Sequence, residues 1–242
     1  MREKGWESGN AKGLPRRLLW WSQAVRICGT ALVFLLFIGC APALYSVDMR
    51  YRAAGGFPQA EAVSPPVSIT VAAFQDLRKV DDPITIGRVI TARGEEIRVF
   101  PKFMKPSEAV TAPFKDFFRQ AGFSVAAESP SWDLTEGNIR KEGDTILVGG
   151  SIDELEILCR RSMTVQKYTA KAKLTLYVAD RRQQKVRYKV TAESSDSLDH
   201  VLFSEEKLEQ QLNIAVAEAI NKILEDKKLV KIIQEIATEQ HR

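Results

Sequence analysis

Residues 167–178, KYTAKAKLTLYV, alternate without a break. Tyr168, Ala170, Ala172, Leu174, Leu176 and Val178 point one way, and Lys167, Thr169, Lys171, Lys173, Thr175 and Tyr177 point the other. Such a run of period two fits a long strand with one buried and one wet face, and no helical register accommodates it. The polar segment DRRQQ, residues 180–184, turns the chain, and Val186, Tyr188, Val190 and Ala192 bring it back as the second arm of an antiparallel hairpin. Just upstream, TILVGGSIDELEILC alternates at Ile146, Val148, Gly150 and Ile152, then changes parity to Leu155, Ile157 and Cys159. One added residue near Asp153 restores the apolar face, so a bulge is expected there. In that strand Cys159 reads as a small buried hydrophobe.

The rest of the chain supplies shorter strands and helices. VSITVAAF, residues 67–74, alternates as a strand, and QDLRKVDDP after it reads as a polar loop. Two short strands at residues 86–90 and 96–100 pair across Arg93-Gly94. From Pro106 the period changes. Ser107 is a cap candidate, Ala109, Val110, Phe114, Phe117 and Phe118 form an apolar side, and Gly122 is the stop, while Pro113 bends the helix or marks its start. FSVAA, residues 123–127, is another strand, followed by a loop that lays Trp132 on the core. After Ser204, the residues Leu208, Leu212, Val216, Ala219, Ile220 and Ile223 recur at helical spacing. A break at residues 226–228 precedes a second stripe of Leu229, Ile232, Ile233 and Ile236. The expected fold is α+β, a mostly antiparallel sheet with helices packed on one face.

Charge is unevenly placed. The formal net charge is +4, but residues 1–39 hold Arg2, Lys4, Lys12, Arg16, Arg17 and Arg26 against Glu3 and Glu7, so the remainder is neutral. A nucleic-acid partner is therefore not expected. The basic cluster precedes ICGTALVFLLFIG, residues 27–39, an uncharged run of about 20 Å as a helix against a hydrocarbon core of roughly 30 Å. A basic segment, a short apolar run and a small residue have the order of a secretory signal peptide, with cleavage between Gly39 and Cys40. Residues 41–66, with four prolines and a Gly-Gly, read as a flexible tether behind Cys40, and residues 67–242 as the α+β domain. With Cys28 in the leader and Cys40 at the junction, only Cys159 remains, so neither an internal disulfide nor a cysteine metal site is expected.

Leu36, Phe37, Ile38, Gly39 and Cys40 resemble the lipobox of bacterial lipoproteins, although Phe37 stands where leucine is usual. The resemblance implies a diacylglycerol on the Cys40 thiol and an acylated amino terminus. Ala41, in place of aspartate, implies an outer-membrane destination facing the periplasm.

Catalytic patterns are sparse. No P-loop, GxGxxG, HExxH or GxSxG is present. His200, with Asp196 and Asp199 nearby, is the one base available to a hydrolase reading, and His241 lies at the terminus. Asp153, Glu154 and Glu156 lack metal-loop spacing and read as the solvent face of their strand. No cofactor is expected. The strip Lys167, Lys171, Lys173, Arg187 and Lys189 is the candidate interaction face, against a plain solvated sheet surface whose lysines block edge aggregation.

The lipobox, the tether, the strand entering AAFQDLRK, the VGGSIDELEI strand, the alternating hairpin and the amphipathic C-terminal helix together resemble the YajG-type bacterial lipoproteins. That resemblance implies a fold and an address rather than a reaction. The expected role is non-catalytic binding or scaffolding in the cell envelope, with the membrane engaged through the lipid anchor and an envelope protein as partner. The alternatives are an auxiliary subunit of an envelope transport or assembly complex, and a hydrolase using His200.

Overall fold

The computed structural model describes residues 44–51 and 67–239. In order, these hold β1 (Tyr45–Val47), β2 (Ser68–Val71), β3 (Gln75–Asp76), β4 (Gly87–Ile90), β5 (Glu96–Pro101) and α1 (Pro106–Gln120). Then come β6 (Ser124–Val125), a 3-10 turn (Glu136–Asn138), β7 (Ile146–Arg161), β8 (Gln166–Asp180), β9 (Lys185–His200), α2 (Glu205–Leu224) and α3 (Lys227–Glu239).

Strand β7 organises the sheet. Three short strands lie one after another along one of its edges, with Ile69 of β2 opposite Ile146, Gln75 of β3 opposite Ser151 and Gly87 of β4 opposite Ile157. All three run parallel to β7, while β8 pairs antiparallel along the other edge and β9 pairs antiparallel with β8. Beyond β4 come β5 and β1, and beyond β2 comes β6. The sheet is therefore mixed, not mostly antiparallel. The β4–β5, β7–β8 and β8–β9 pairs are antiparallel and the other pairings are parallel. Alternation reports which face a side chain takes, not the direction of the neighbouring strand. The β2–β6 pair and the parallel pairs that β2, β3 and β4 make with β7 arise because the chain passes through α1 before it re-enters the sheet at β6 and β7.

The long hairpin follows its pattern. The core-facing residues of β8 from Tyr168 to Val178 are buried beneath α2, and the register shifts between Ile152 and Glu154, at Asp153. All three helices contribute to one core with this face of the sheet, in which Phe74 and Phe114 stack at 4.9 Å. Burying each such aromatic stabilises by about 1.5–3 kcal/mol. Trp132 packs elsewhere. It joins Ala72, Ile139, Leu147 and Ala179 in a smaller cluster and donates from Nε1 to the Thr135 carbonyl at 3.0 Å. Gly149 and Gly150, adjacent in β7, make both packings possible. A Cβ at Gly149 would meet the Trp132 ring at 2.7 Å, and one at Gly150 the Phe74 ring at 2.3 Å.

Helix starts differ in detail. Pro106, not Ser107, opens α1 after Lys105, a position where a missing N–H costs nothing, and the helix continues through Pro113. Ser204 caps α2, its hydroxyl accepting from the Lys207 amide at 3.2 Å.

The largest departure is β1. Residues 44–51, expected within the flexible tether, join the sheet beside β5, so the folded domain begins at Leu44 rather than residue 67. Val47 and Met49 are buried there. The outer edge of this segment would otherwise expose unpaired amides. Instead Glu205, Glu209 and Asn213, four residues apart on α2, accept from the amides of Ser46, Asp48 and Arg50 at 3.3, 3.0 and 3.0 Å. Asn213 also donates to the Asp48 carbonyl at 2.9 Å. Residues 41–43 and 52–66 of the expected tether lie outside the described residues.

Candidate functional site

The lysine strip is not a free cationic face. Lys171 pairs with Glu154 at 3.7 Å and Lys173 with Glu193 at 3.5 Å, both across the hairpins. Lys167 sits opposite Asp199 in the register, and the Lys189 ammonium lies 5.0 Å from the Tyr177 ring centroid. Arg187 leaves the strip altogether. A register shift between β8 and β9 at Val178/Ala179 makes it an extra residue between Val186 and Tyr188. Its guanidinium donates to both carboxylate oxygens of Glu239 in α3, at 3.0 and 3.2 Å, on the helical side of the sheet. Exposed pairs of this kind contribute at most about 1 kcal/mol each and leave little field to steer a distant anion.

The wet face carries instead a groove of about 870 Å³ between the segment 77–85 and strands β4, β5 and β7. Arg78 builds its wall. The guanidinium, with only 2% of its side chain exposed, holds Asp76 through Nε and Nη2 at 2.8 and 2.7 Å. It also donates to the carbonyls of Pro83, Thr85 and Leu155 at 2.8, 3.0 and 3.3 Å. One side chain thereby ties both ends of the loop to β7, and Leu77, Val80 and Ile84 stand out into solvent. Asp82 pairs with Arg98 at 3.0 Å, and Arg88 lies within 3.7 Å of Glu96 and 3.6 Å of Glu156. At the bulge, Asp153 accepts from Ser151 at 2.7 Å and Thr175 at 2.5 Å. The groove thus combines apolar rims with carboxylates and guanidinium groups already paired, which suits a polypeptide surface more than a small anion. Arg78 lies in QDLRKVDDP, which has no periodicity to single it out, and the spacing of Asp76 and Arg78 is the sequence signal that marks the clamp.

A second recess, of about 530 Å³, opens on the Trp132 side and includes Arg140 and Arg181 in its lining. Burial holds the Arg181 guanidinium below the usual arginine range, and Arg140 acts in the same direction against Asp144. Its Nη1 donates to the Glu142 carbonyl, while Nε has no partner.

His200 ends β9, with Nδ1 2.8 Å from the Leu202 carbonyl and 3.2 Å from the Leu202 amide. Neither Asp196 nor Asp199 is its hydrogen-bond partner in these contacts. Cys159 is fully buried, and burial pushes its thiol up to about 11, which keeps it protonated at neutral pH. Among the described residues no group of three or more His, Cys, Asp or Glu side chains is placed to hold a metal ion. No described helix is long and apolar enough to cross a membrane. Gly39, Cys40 and His241 lie outside the described residues.

No protein-family description and no curated protein sequence matches the chain. Solved structures do. A Helicobacter pylori protein named as a neuraminyllactose-binding hemagglutinin homologue superposes with a TM-score of 0.48 at 9% identity, over 80% of this chain and 100% of that one. Lipoprotein GNA1162 of Neisseria meningitidis gives 0.36 at 11% identity, over 65% and 98%. Protein XCC0632 of Xanthomonas campestris, described as a DUF330 protein, covers 81% of this chain and 99% of its own at 12% identity and a TM-score of 0.50, so the chain is similar to it in fold.

Proposed function

We propose that this protein is a lipid-anchored component of the bacterial cell envelope, of the YajG type. Acyl groups on Cys40 hold it at the periplasmic face of the outer membrane, and its sheet acts as a non-catalytic platform for another envelope protein. One observation carries the reading. The folded domain starts at Leu44, four residues after the lipobox-like cysteine, with β1 built into the sheet and latched by α2. A signal sequence placed directly before a domain edge suits an anchor. Three acyl chains exceed the two-signal threshold for stable attachment.

The partner surface is the groove behind the 77–85 segment, where exposed Leu77, Val80 and Ile84 border paired charges. This feature also favours the second reading, an auxiliary subunit of an envelope transport or assembly complex. A photo-crosslinking residue at Ile84, compared with one at Lys185, distinguishes them. A defined transport or assembly subunit captured at Ile84 alone supports the auxiliary role.

Substituting Cys40→Ala tests the anchor. The variant is expected to move from the membrane pellet to the soluble fraction while its domain stays folded, since Cys40 lies outside the unit that begins at Leu44. Retention of the variant on membranes after carbonate washing, or native material of unacylated mass, refutes the reading.

A further inference from the structure

One end of the sheet gathers exposed apolar side chains where the chain enters the domain. Tyr45, Val99, Gly87, Ile157, Ala170 and Asp196 form a continuous rung across β1, β5, β4, β7, β8 and β9. From that rung, the chain before Tyr45, the chain after Ile157 and the chain after Asp196 all run to the same end. Leu44 (62% exposed), Met163 (97%), Val165 (40%), Val201 (71%) and Leu202 (70%) therefore share it. Phe203 joins the parts, its ring 4.9 Å from Tyr45 and stacked on Tyr168 at 6.3 Å, with the Arg161 guanidinium 4.6 Å from it. The remaining large exposed apolar residues among those described are Leu77, Val80 and Ile84 at the groove, and Phe103. Exposed apolar side chains gathered at one end of the sheet mark a contact surface.

Covalent geometry names the occupant. Cys40 and Leu44 are four residues apart, so at most about 14 Å separates them. A domain anchored through Cys40 has this end against the lipid. We propose that Leu44, Met163, Val165, Val201 and Leu202 enter the bilayer interface beside the acyl anchor, holding the domain end-on. The inference rests on the lipid-anchor reading. Arg160, Arg161 and Lys167 stand at the same end, where they meet lipid phosphates. β7 has 16 residues, so the turn between β8 and β9 stands on the order of 50 Å from the lipid when the strands run along the membrane normal.

The test uses the full processed chain with single cysteines introduced by Met163→Cys, Leu202→Cys or Lys185→Cys. Each is labelled with an environment-sensitive dye, the buried Cys159 staying unlabelled, and reconstituted in phosphatidylethanolamine–phosphatidylglycerol vesicles containing nitroxide lipids. Dyes at 163 and 202 are expected to shift to the blue and to be quenched severalfold more than the dye at 185. Equal quenching at the three positions in a chain of acylated mass overturns this inference and leaves the anchor standing. So does self-quenching at 163 and 202 that follows protein density rather than nitroxide content, which assigns the surface to a second copy. A chain of unacylated mass overturns the anchor reading and this inference with it.

Discussion

Arg78 shows how much structure one buried charge can hold. Its guanidinium meets a carboxylate and three carbonyls, so its loss strands several acceptors and frees the loop that walls the groove. Arg78→Met keeps most of the aliphatic volume and removes every donor. The expected cost is about 3 kcal/mol, from the range for breaking a buried pair. At this chain length that lowers the melting temperature by roughly 10 °C, read by thermal denaturation. A change within about 1 °C would mean that water replaces the guanidinium without penalty. Lys171 and Lys173 show the opposite case. Their partners sit in the open, and their substitution is expected to shift stability by less than about 1 kcal/mol.

At the scale of elements, β7 carries rings on both faces, and two glycines allow it. Gly150→Ala drives a methyl into the Phe74 ring and toward the Thr175 carbonyl, at 2.3 and 2.5 Å. Overpacking of this kind costs about 1–3 kcal/mol. Adding Phe74→Leu is expected to cost less than the two single effects together, a coupling that a double-mutant cycle in urea measures. The junction of α2 and α3 is tied to β9 by the Tyr188 hydroxyl, which donates to Asp226 at 2.5 Å. Burial, then this bond, push the phenol up to about 12 from 10.0. The folded state keeps the proton when the unfolded chain has lost it. The stabilisation is therefore whole below pH 10 and fades as pH rises toward about 12. Wild-type stability should fall more steeply across that window than that of Tyr188→Phe, and parallel curves would deny the link. These elements also show what the sequence made legible. The β8 alternation, the Asp153 bulge, the β4–β5 turn at Gly94 (φ 85°) and the Ser204 cap are local signals, and the structure has all four. The parallel neighbours of β7 are not local. Nothing in SITV or QD records that each meets a strand some 75 residues later.

Across the whole molecule, the N-terminal edge strand was hidden for the same reason. The segment from Tyr45 to Tyr51 is too short and too polar to read as a strand, and its partners on α2 lie about 160 residues away. What does appear in the sequence is a stripe of Glu205, Glu209 and Asn213 four residues apart on an amphipathic helix, polar side chains aimed at a neighbour's backbone. Under the proposed Cys40 anchor, the four-residue step to Leu44 keeps this end of the domain within about 14 Å of the lipid-bearing residue. Attachment and orientation become a single property of the chain, and they can be separated by lengthening it. A Gly/Ser insert of about ten residues between Ala43 and Leu44 adds an average reach of about 18 Å and leaves both Cys40 and β1 intact. Under the proposed Cys40 anchor the lengthened protein should remain in the membrane pellet, because the insert leaves the lipobox-like segment untouched. Its dyes at 163 and 202 should drop to the lipid quenching seen at 185, because the contact of single side chains no longer profits from a short leash. If quenching persists at full strength, the apolar end binds lipid by its own affinity and the short connection is incidental. If the insert releases the protein into solution, attachment itself depends on the contact surface as well as on the acyl chains.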